Sequence, residues 1–567
     1  APAPPDLPVV AVLDRITAAA GPGAALVLTA PPGTGKTTLL PPALAVALAG
    51  TQGSVAAAGS ATTPVTRTSP APRVLVTQPR RVAVRAVSRR IAALLHEPVG
   101  ATVGYSVRGD SRTSPDTRIE MLTPGVLLRR LQRDPELPGV GAVVLDEFHE
   151  RQLDTDLALA LLLDVRAALR EDLVLAVTSA TLEAERTSAL IGTATGTAPT
   201  LVDVPARLHP LELRWAAPPR GGEPLGVSPA TGAVIVRREF LGHVARTVER
   251  TLGTTTGDVL VFLPGAREID EVRRSLPSSG VEVLTLHGSL TPEEQDRVLS
   301  GPGPRRRVVL STAVAESSLT VPGVRVVVDA CLSREPRTDV ARGVPMLVTV
   351  QASRARCEQR AGRAARLGPG TAVRCTSEVD WARRPQQSLP EIATADLTDA
   401  LLQCAVWGNP GMAGLALLDE PPVGALSAAA ERLRGLGAVD EGGHATPLGR
   451  TLAALPLDPP LARALVDAAP RIGPRRAARS VALLSEDTRA PGADLASLAR
   501  VLSRGGGDAA LRHRVEDQAG RLARLLRAGP GADTDPVAHT DPGGRTRLGA
   551  RTEPGARTAG ATGHSTA

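Results

Sequence analysis

The chain has 567 residues, of which 43% are apolar, and its net charge is +7. Its length allows about three or four domains at roughly 150 residues each, and the positive balance fits a polyanionic partner. No stretch reaches the ~20 apolar residues of a membrane helix, and the N-terminus lacks a basic-then-apolar leader, so neither a membrane partner nor a signal peptide is expected.

Strands and helices alternate from about residue 9 to 205. Ala25–Leu28, Val74–Val76, Ala142–Leu145 and Leu173–Val177 read as short apolar strands, each followed by a polar or Gly-rich turn and a helical pattern. That is the signature of a parallel, doubly wound sheet, which binds ligands at the carboxyl ends of its strands. Leu157–Leu163 reads as a core helix. A second set, Val259–Leu263, Glu282–Leu286, Val308–Leu310 and Val324–Val328, predicts another α/β domain over 206–388. Residues 391–456 read as mostly helical, with a short hairpin at Ala438–Thr446, and 457–528 as helical and Arg-rich. Residues 50–72 and 529–567 are rich in small, polar and turn-forming residues and are expected to be disordered.

Of the 65 basic side chains, one is lysine, Lys36. It sits in Gly33-Thr34-Gly35-Lys36-Thr37-Thr38, directly after the first strand. Such a loop presents backbone N–H groups and a helix N-terminus to phosphates, with the lysine as a point charge and Thr37 on Mg²⁺. The first glycine of the full phosphate-loop pattern is replaced by Ala30. At the end of the third strand stands Asp146-Glu147-Phe148-His149. Its paired carboxylates suit a Mg²⁺ shell (Asp146) and a group that orients or activates water (Glu147). Thr178-Ser179-Ala180-Thr181 follows the fourth strand, and its hydroxyls suit either phosphate sensing or helix capping. In Gln359–Arg366, Arg363 and Arg366 fall at i, i+3 and are expected on one helical face. Cys331, Cys357, Cys375 and Cys404 lie 26, 18 and 29 residues apart, which suggests neither zinc nor a disulfide framework but buried, reduced thiols.

Taken together, these segments resemble the superfamily 2 DEAH-box ATP-dependent helicases. Lys36 and Thr37 match motif I, Asp146 to His149 motif II, Ser179 to Thr181 motif III, Thr312 to Thr320 motif V and Gln359 to Arg366 motif VI. Gln78-Pro79-Arg80-Arg81, Leu122-Thr123-Pro124-Gly125 and Phe262-Leu263-Pro264-Gly265 resemble motifs Ia, Ib and IV. Cys331–Gln351 resembles the strand-separating hairpin, and segments between Pro390 and Arg450 resemble the winged-helix and ratchet region of the bacterial HrpB type. The resemblance implies two tandem RecA-like domains (1–205 and 206–388), a winged-helix-like domain (389–456), a helical ratchet-like domain (457–528) and a disordered tail (529–567). It also implies ATP and Mg²⁺, with Gln359, Arg363 and Arg366 meeting the γ-phosphate and His149, Ser179 and Thr181 coupling the sites. Arg80, Arg81, Thr123 and Thr312 would lie on a nucleic-acid backbone. The expected activity is 3′-to-5′ RNA unwinding in the cytoplasm. A nucleotide-switched RNA remodeller and a DNA translocase stay open as alternatives. Ala313 and Ala365 replace the family's usual Asn and Gly, and its large additional C-terminal domain is expected to be missing.

Overall fold

The computed structural model describes residues 7–528 except 32, 59–70, 180–182, 206–208, 230–231, 277–279, 302, 317–318, 340–343, 367, 487–489, 491 and 493. The expected tail at 529–567 lies outside the described residues.

Two sheets carry the N-terminal two thirds. The first has eight strands, in the order Asp110–Arg112, Val103–Val107, Ile119–Leu122, Arg73–Thr77, Val140–Leu145, Val174–Ser179, Ala25–Thr29 and Thr200–Asp203. All neighbours are parallel except Val103–Val107 with Asp110–Arg112. The second has six, in the order Glu282–Leu286, Arg307–Ser311, Asp258–Phe262, Val324–Asp329, Gly370–Arg374 and Leu211–Trp215, all parallel. Central strands such as Ala25–Thr29 (ALVLT) are covered by helices on both faces, which is why they read as continuous apolar runs. Each of the eight expected strands is present to within two residues. The strands that escaped notice are edge or polar ones, such as Val103–Val107 (VGYSV) and Thr200–Asp203 (TLVD), which lack that run.

The 50–72 insertion is a partial correction. The helix after the first strand runs Lys36–Ala58, so the early part of the insertion is helical, because the Ala-rich stretch continues the helix; 59–70 lies outside the described residues. Leu153–Ala168 is buried on nearly every side, as expected of a core helix. An antiparallel hairpin pairs Leu332–Asp339 with Val344–Gln351. The hairpin expected at Ala438–Thr446 reduces to one bridge, Val439 with Ala445.

From residue 391 onward the regular elements among the described residues are helices, apart from that bridge. Its helices do not build a separate core. Leu401, Leu402, Leu433, Leu465, Val481 and Leu522 join one apolar cluster with Leu127, Leu145, Phe148, Leu157 and Leu161 of the first α/β unit. Trp407 Nε1 also donates to Asp164 Oδ2 at 2.7 Å. All four cysteines are free and buried. Cys331 and Cys357 nevertheless lie beside Asp329, the three ligand atoms within 4.8 Å of one another, a proximity their 26-residue spacing did not reveal.

Candidate active site

Register places the motifs together. Arg73–Thr77 pairs with Val140–Leu145, which pairs with Val174–Ser179, which pairs with Ala25–Thr29. Parallel strands end on the same side, so Gln78, Asp146, Ser179 and the loop at Ala30–Gly35 are brought side by side. Ser179 O accepts from Ala30 N at 2.9 Å, tying the fourth strand's end to the phosphate-type loop.

In that loop, Gly33 and Gly35 have φ of +92° and +90°, values that cost an ordinary residue about 1–2 kcal/mol. A Cβ on Gly33 would stand 2.6 Å from Arg366 Nε, so the arginine of the second unit lies across the loop. Thr34 Oγ1 donates to Pro31 O at 3.0 Å and braces the turn. Lys36 opens the helix, is buried, and its Nζ donates to Ala30 O (3.3 Å) and Glu147 Oε2 (3.4 Å). Thr37 and Thr38 follow in the first turn.

Asp146 is the hub. Its Oδ2 accepts from Thr37 Oγ1 at 2.6 Å and from Gln78 Nε2; its Oδ1 accepts from Thr178 Oγ1 and, at 2.9 Å, from Glu147 N. Burial and then the Glu147 charge raise its pKa, and Lys36 and the two hydroxyls only partly offset them. Burial also pushes Glu147 up, but Lys36, then His149 and Arg363, outweigh it and hold this carboxyl below its ordinary range. Glu147 is therefore an ionised acceptor at neutral pH. Burial lowers the His149 pKa against the raising effect of Glu147, and its Nε2 lies 3.1 Å from Gln359 Nε2 and 3.4 Å from Glu147 Oε2, the first a contact between the two α/β units.

Motif VI departs from expectation. The helix spans Arg354–Ala361 and ends at Gly362; Arg363 and Ala364 then close i→i−3 turns. Arg363 and Arg366 thus do not share a helical face. Arg363 donates to the carbonyls of Glu316 (3.0 Å from Nε) and Leu319 (2.9 Å from Nη1). Arg366 faces the phosphate-type loop, and among the described residues its buried Nη1 has no hydrogen-bond partner. Burial, then repulsion from Arg366, pushes Arg363 down to about 9; burial pushes Arg366 down to about 10. An unpartnered guanidinium nitrogen over a glycine loop, beside a carboxylate short of positive charge, fits a phosphate anion with a divalent cation.

Thr181 lies outside the described residues. Gln78, given no role of its own from the sequence, donates to Asp146 Oδ2, because the strand before it pairs with Val140–Leu145. Arg360, which drew no attention, is fully buried and holds Glu316 Oε2 (2.9 Å) and Asp329 Oδ1 (3.0 Å).

The expected backbone-contact residues follow the ends of the strands Arg73–Thr77, Ile119–Leu122 and Arg307–Ser311. Thr123 and Thr312 precede helical turns without capping them through their hydroxyls. Arg80 Nη2 donates to Glu150 Oε2 at 3.2 Å, while Arg81 is partly covered and keeps part of its surface open to solvent. Arg81 joins a seam of arginines against the helical region. Burial and then Arg85 lower Arg81; burial and then Arg129, Arg81 and Arg521 lower Arg108. Arg521 stands over Gly109, where a Cβ would meet its Cζ at 2.7 Å, and Arg108 donates to Pro456 O. Their wide sequence separation hid this cluster.

The comparisons agree with this layout. A DEAD/DEAH box helicase family profile matches residues 13–189, a helicase conserved C-terminal domain 243–368, and a helicase-associated (HA2) winged-helix domain 429–457. The chain is 39% identical over 493 residues to ATP-dependent RNA helicase HrpB of Escherichia coli (strain K12), covering 86% of this chain and 56% of that protein. It is 34% identical over 400 residues to ATP-dependent RNA helicase HrpA of the same strain, covering 69% of this chain and 29% of that protein. A crystal structure of Escherichia coli DEAH/RHA helicase HrpB superposes with a TM-score of 0.77 at 35% identity, covering 92% of this chain and 61% of that one. A second, of E. coli DExH-box NTPase HrpB, gives 0.71 at 36% identity, covering 92% and 59%. The chain therefore spans little more than half the length of the HrpB relative. With both α/β units, the winged helix and this site arrangement in one chain, the protein belongs to the DEAH-box helicase family, of the HrpB type.

Proposed function

We propose that the chain hydrolyses ATP with Mg²⁺ and uses the cycle to move along single-stranded RNA and unwind duplexes, 3′ to 5′. The observation that carries this reading is Arg366 of the second α/β unit laid across the Gly33–Lys36 loop of the first, its Nη1 without a partner among the described residues. A site shared between two bodies changes when they close or part, which turns hydrolysis into motion.

Gly33, Thr34, Gly35, Lys36, Thr37 and Thr38 would hold the phosphates, and Thr37 and Asp146 would hold Mg²⁺, which neutralises phosphate charge. The Lys36–Glu147 pair would be exchanged on binding: Lys36 turns to phosphate, and the freed Glu147 orients water and takes its proton. Arg366, with Gln359 and Arg363 beside it, would stabilise charge in the transition state. Ser179 and Thr181 are assigned the coupling role.

Arg80, Arg81, Thr123 and Thr312 would track the sugar-phosphate backbone, and the arginine seam of Arg81, Arg108 and Arg521 supports a polyanion there. Such contacts position the strand without reading sequence, and only seven aromatic side chains are available for stacking. The working division is RecA-like domains at 1–205 and 206–388, a winged-helix-like domain at 389–456 and a ratchet-like domain at 457–528. ATP turnover with poly(A) RNA and with poly(dA), and displacement of 3′- and 5′-tailed duplexes, test the reading. Stronger stimulation by DNA points to a DNA translocase. Turnover without displacement points to an RNA remodeller.

A further inference from the structure

The segment that leaves Glu147 is held from the far end of the chain. Glu147 and Arg151 both adopt left-handed φ, 55° and 49°, and bracket the single turn Phe148–Glu150. Such conformations in residues other than glycine cost about 1–3 kcal/mol each and persist only where the surroundings impose them. Here the surroundings are explicit. Arg151 O accepts from Glu391 N at 3.0 Å, and Leu153 N donates to Glu391 Oε2 at 3.0 Å. The buried Arg151 guanidinium pairs with Asp156 (2.9 Å), Glu183 (3.5 Å) and Asp419 (2.5 Å).

Glu183 begins the helix Glu183–Thr195 that follows the Ser179 strand. From that helix Arg186 reaches the same two acids, Asp419 at 2.8 Å and Glu183 at 3.2 Å, and the Leu418 carbonyl at 3.0 Å. The exits of two nucleotide-side segments therefore meet the 390–391 and 418–419 loops of the helical region in one ionic knot. Phe148 is fully buried, so the intervening turn is fixed by packing and transmits a displacement of Arg151 to Glu147.

We infer that the Arg151–Asp419 knot is the joint through which nucleic acid gripped by the helical region sets the position of Glu147, and so the rate of ATP turnover. Arg151 and Asp419 are positioning residues; neither touches the reacting atoms. The inference rests on the function proposed above. It concerns how the two sites communicate: the ion pairs join the 418–419 loop to Arg151, and the strained turn Phe148–Glu150 continues from there to Glu147.

Asp419 is partly exposed, so Asp419→Asn removes one charge without opening a core. Its ATP turnover is measured without RNA and with saturating poly(A), alongside poly(A) affinity by fluorescence anisotropy and thermal unfolding. The expected result is RNA-free turnover and RNA affinity within about 2-fold of the parent, with RNA stimulation reduced by about 5-fold or more. Asp419→Glu, which restores the charge, should recover most of the stimulation. Undiminished stimulation in Asp419→Asn overturns the inference, as does an equal loss of RNA-free and RNA-stimulated turnover, which marks a merely structural role. A parent protein that hydrolyses no ATP at all defeats the functional reading first, and the inference with it.

Discussion

Replacing Arg366 with methionine should stabilise the protein while disabling it. The guanidinium lies over Gly33 with a buried, unpartnered Nη1. Burial moves its pKa from 12.5 to about 10. At ~1.4 kcal/mol per pH unit, the charged form is disfavoured by at most ~3 kcal/mol. Arg366 keeps some solvent access, and halving the figure for screening leaves roughly 1–2 kcal/mol, or about 2–8 °C in Tm. Arg363, pushed down to about 9 partly by Arg366, would also be relieved. Methionine keeps much of the aliphatic stem and removes the charge, so packing loss is small. Removing an arginine that stabilises phosphoryl transfer typically costs ~10³-fold or more in turnover. Thermal unfolding by circular dichroism without nucleotide, paired with steady-state ATPase, measures both effects. If Arg366→Met melts at or below the parent temperature, the arginine is not an uncompensated buried charge, and if turnover survives, it does not serve the γ-phosphate.

Three further outcomes are expected. Lys36→Ala should abolish nucleotide binding by equilibrium dialysis, because the loop's only point charge is lost; unchanged affinity would refute the phosphate-loop assignment. Glu147→Gln should bind nucleotide normally yet turn over ~10²-fold slower or worse; parental turnover would exclude Glu147 as the base. At the joint with the helical region, Glu391 is pushed up to about 7 by burial, then Asp154 and Glu150, and Asp399 to about 6 by burial, then Asp154 and Asp458. Both acids are protonated in the folded state at pH values where the unfolded chain has released them. Their contribution to stability is therefore full below the ordinary carboxylate range and falls steadily from about pH 4 to about 7, by at most ~3 kcal/mol for Glu391. Glu391→Gln should flatten Tm across that window, and an unaltered Tm–pH profile would count against the assignment.

Much of the motor was legible beforehand because its strands are buried on both faces. An apolar run ending in a small, charged or glycine-rich segment marks a parallel strand and its ligand end together. Lys36, Thr37, Asp146 and Glu147 were found that way, and the structure brings them within hydrogen-bond reach. The Gln78–Asp146 contact was missed because a motif string does not state which strand lies next to which. The pairing of Arg363 and Arg366 failed because helical periodicity was assumed past Gly362, where the chain turns.

Local sequence determined the strands, the glycine loop, the carboxylate pair and the Arg-rich helical region, since each follows from nearest-neighbour chemistry: burial pattern, φ freedom and charge. Tertiary structure alone decided which distant residues meet. Arg366 over Gly33, Gln359 on His149, the arginine seam from Arg81 to Arg521, and the Arg151–Asp419 knot join positions up to hundreds of residues apart. Nothing in the periodicity of one segment encodes the orientation of another; that is set when the apolar faces of the first α/β unit and the helical region collapse into a shared core.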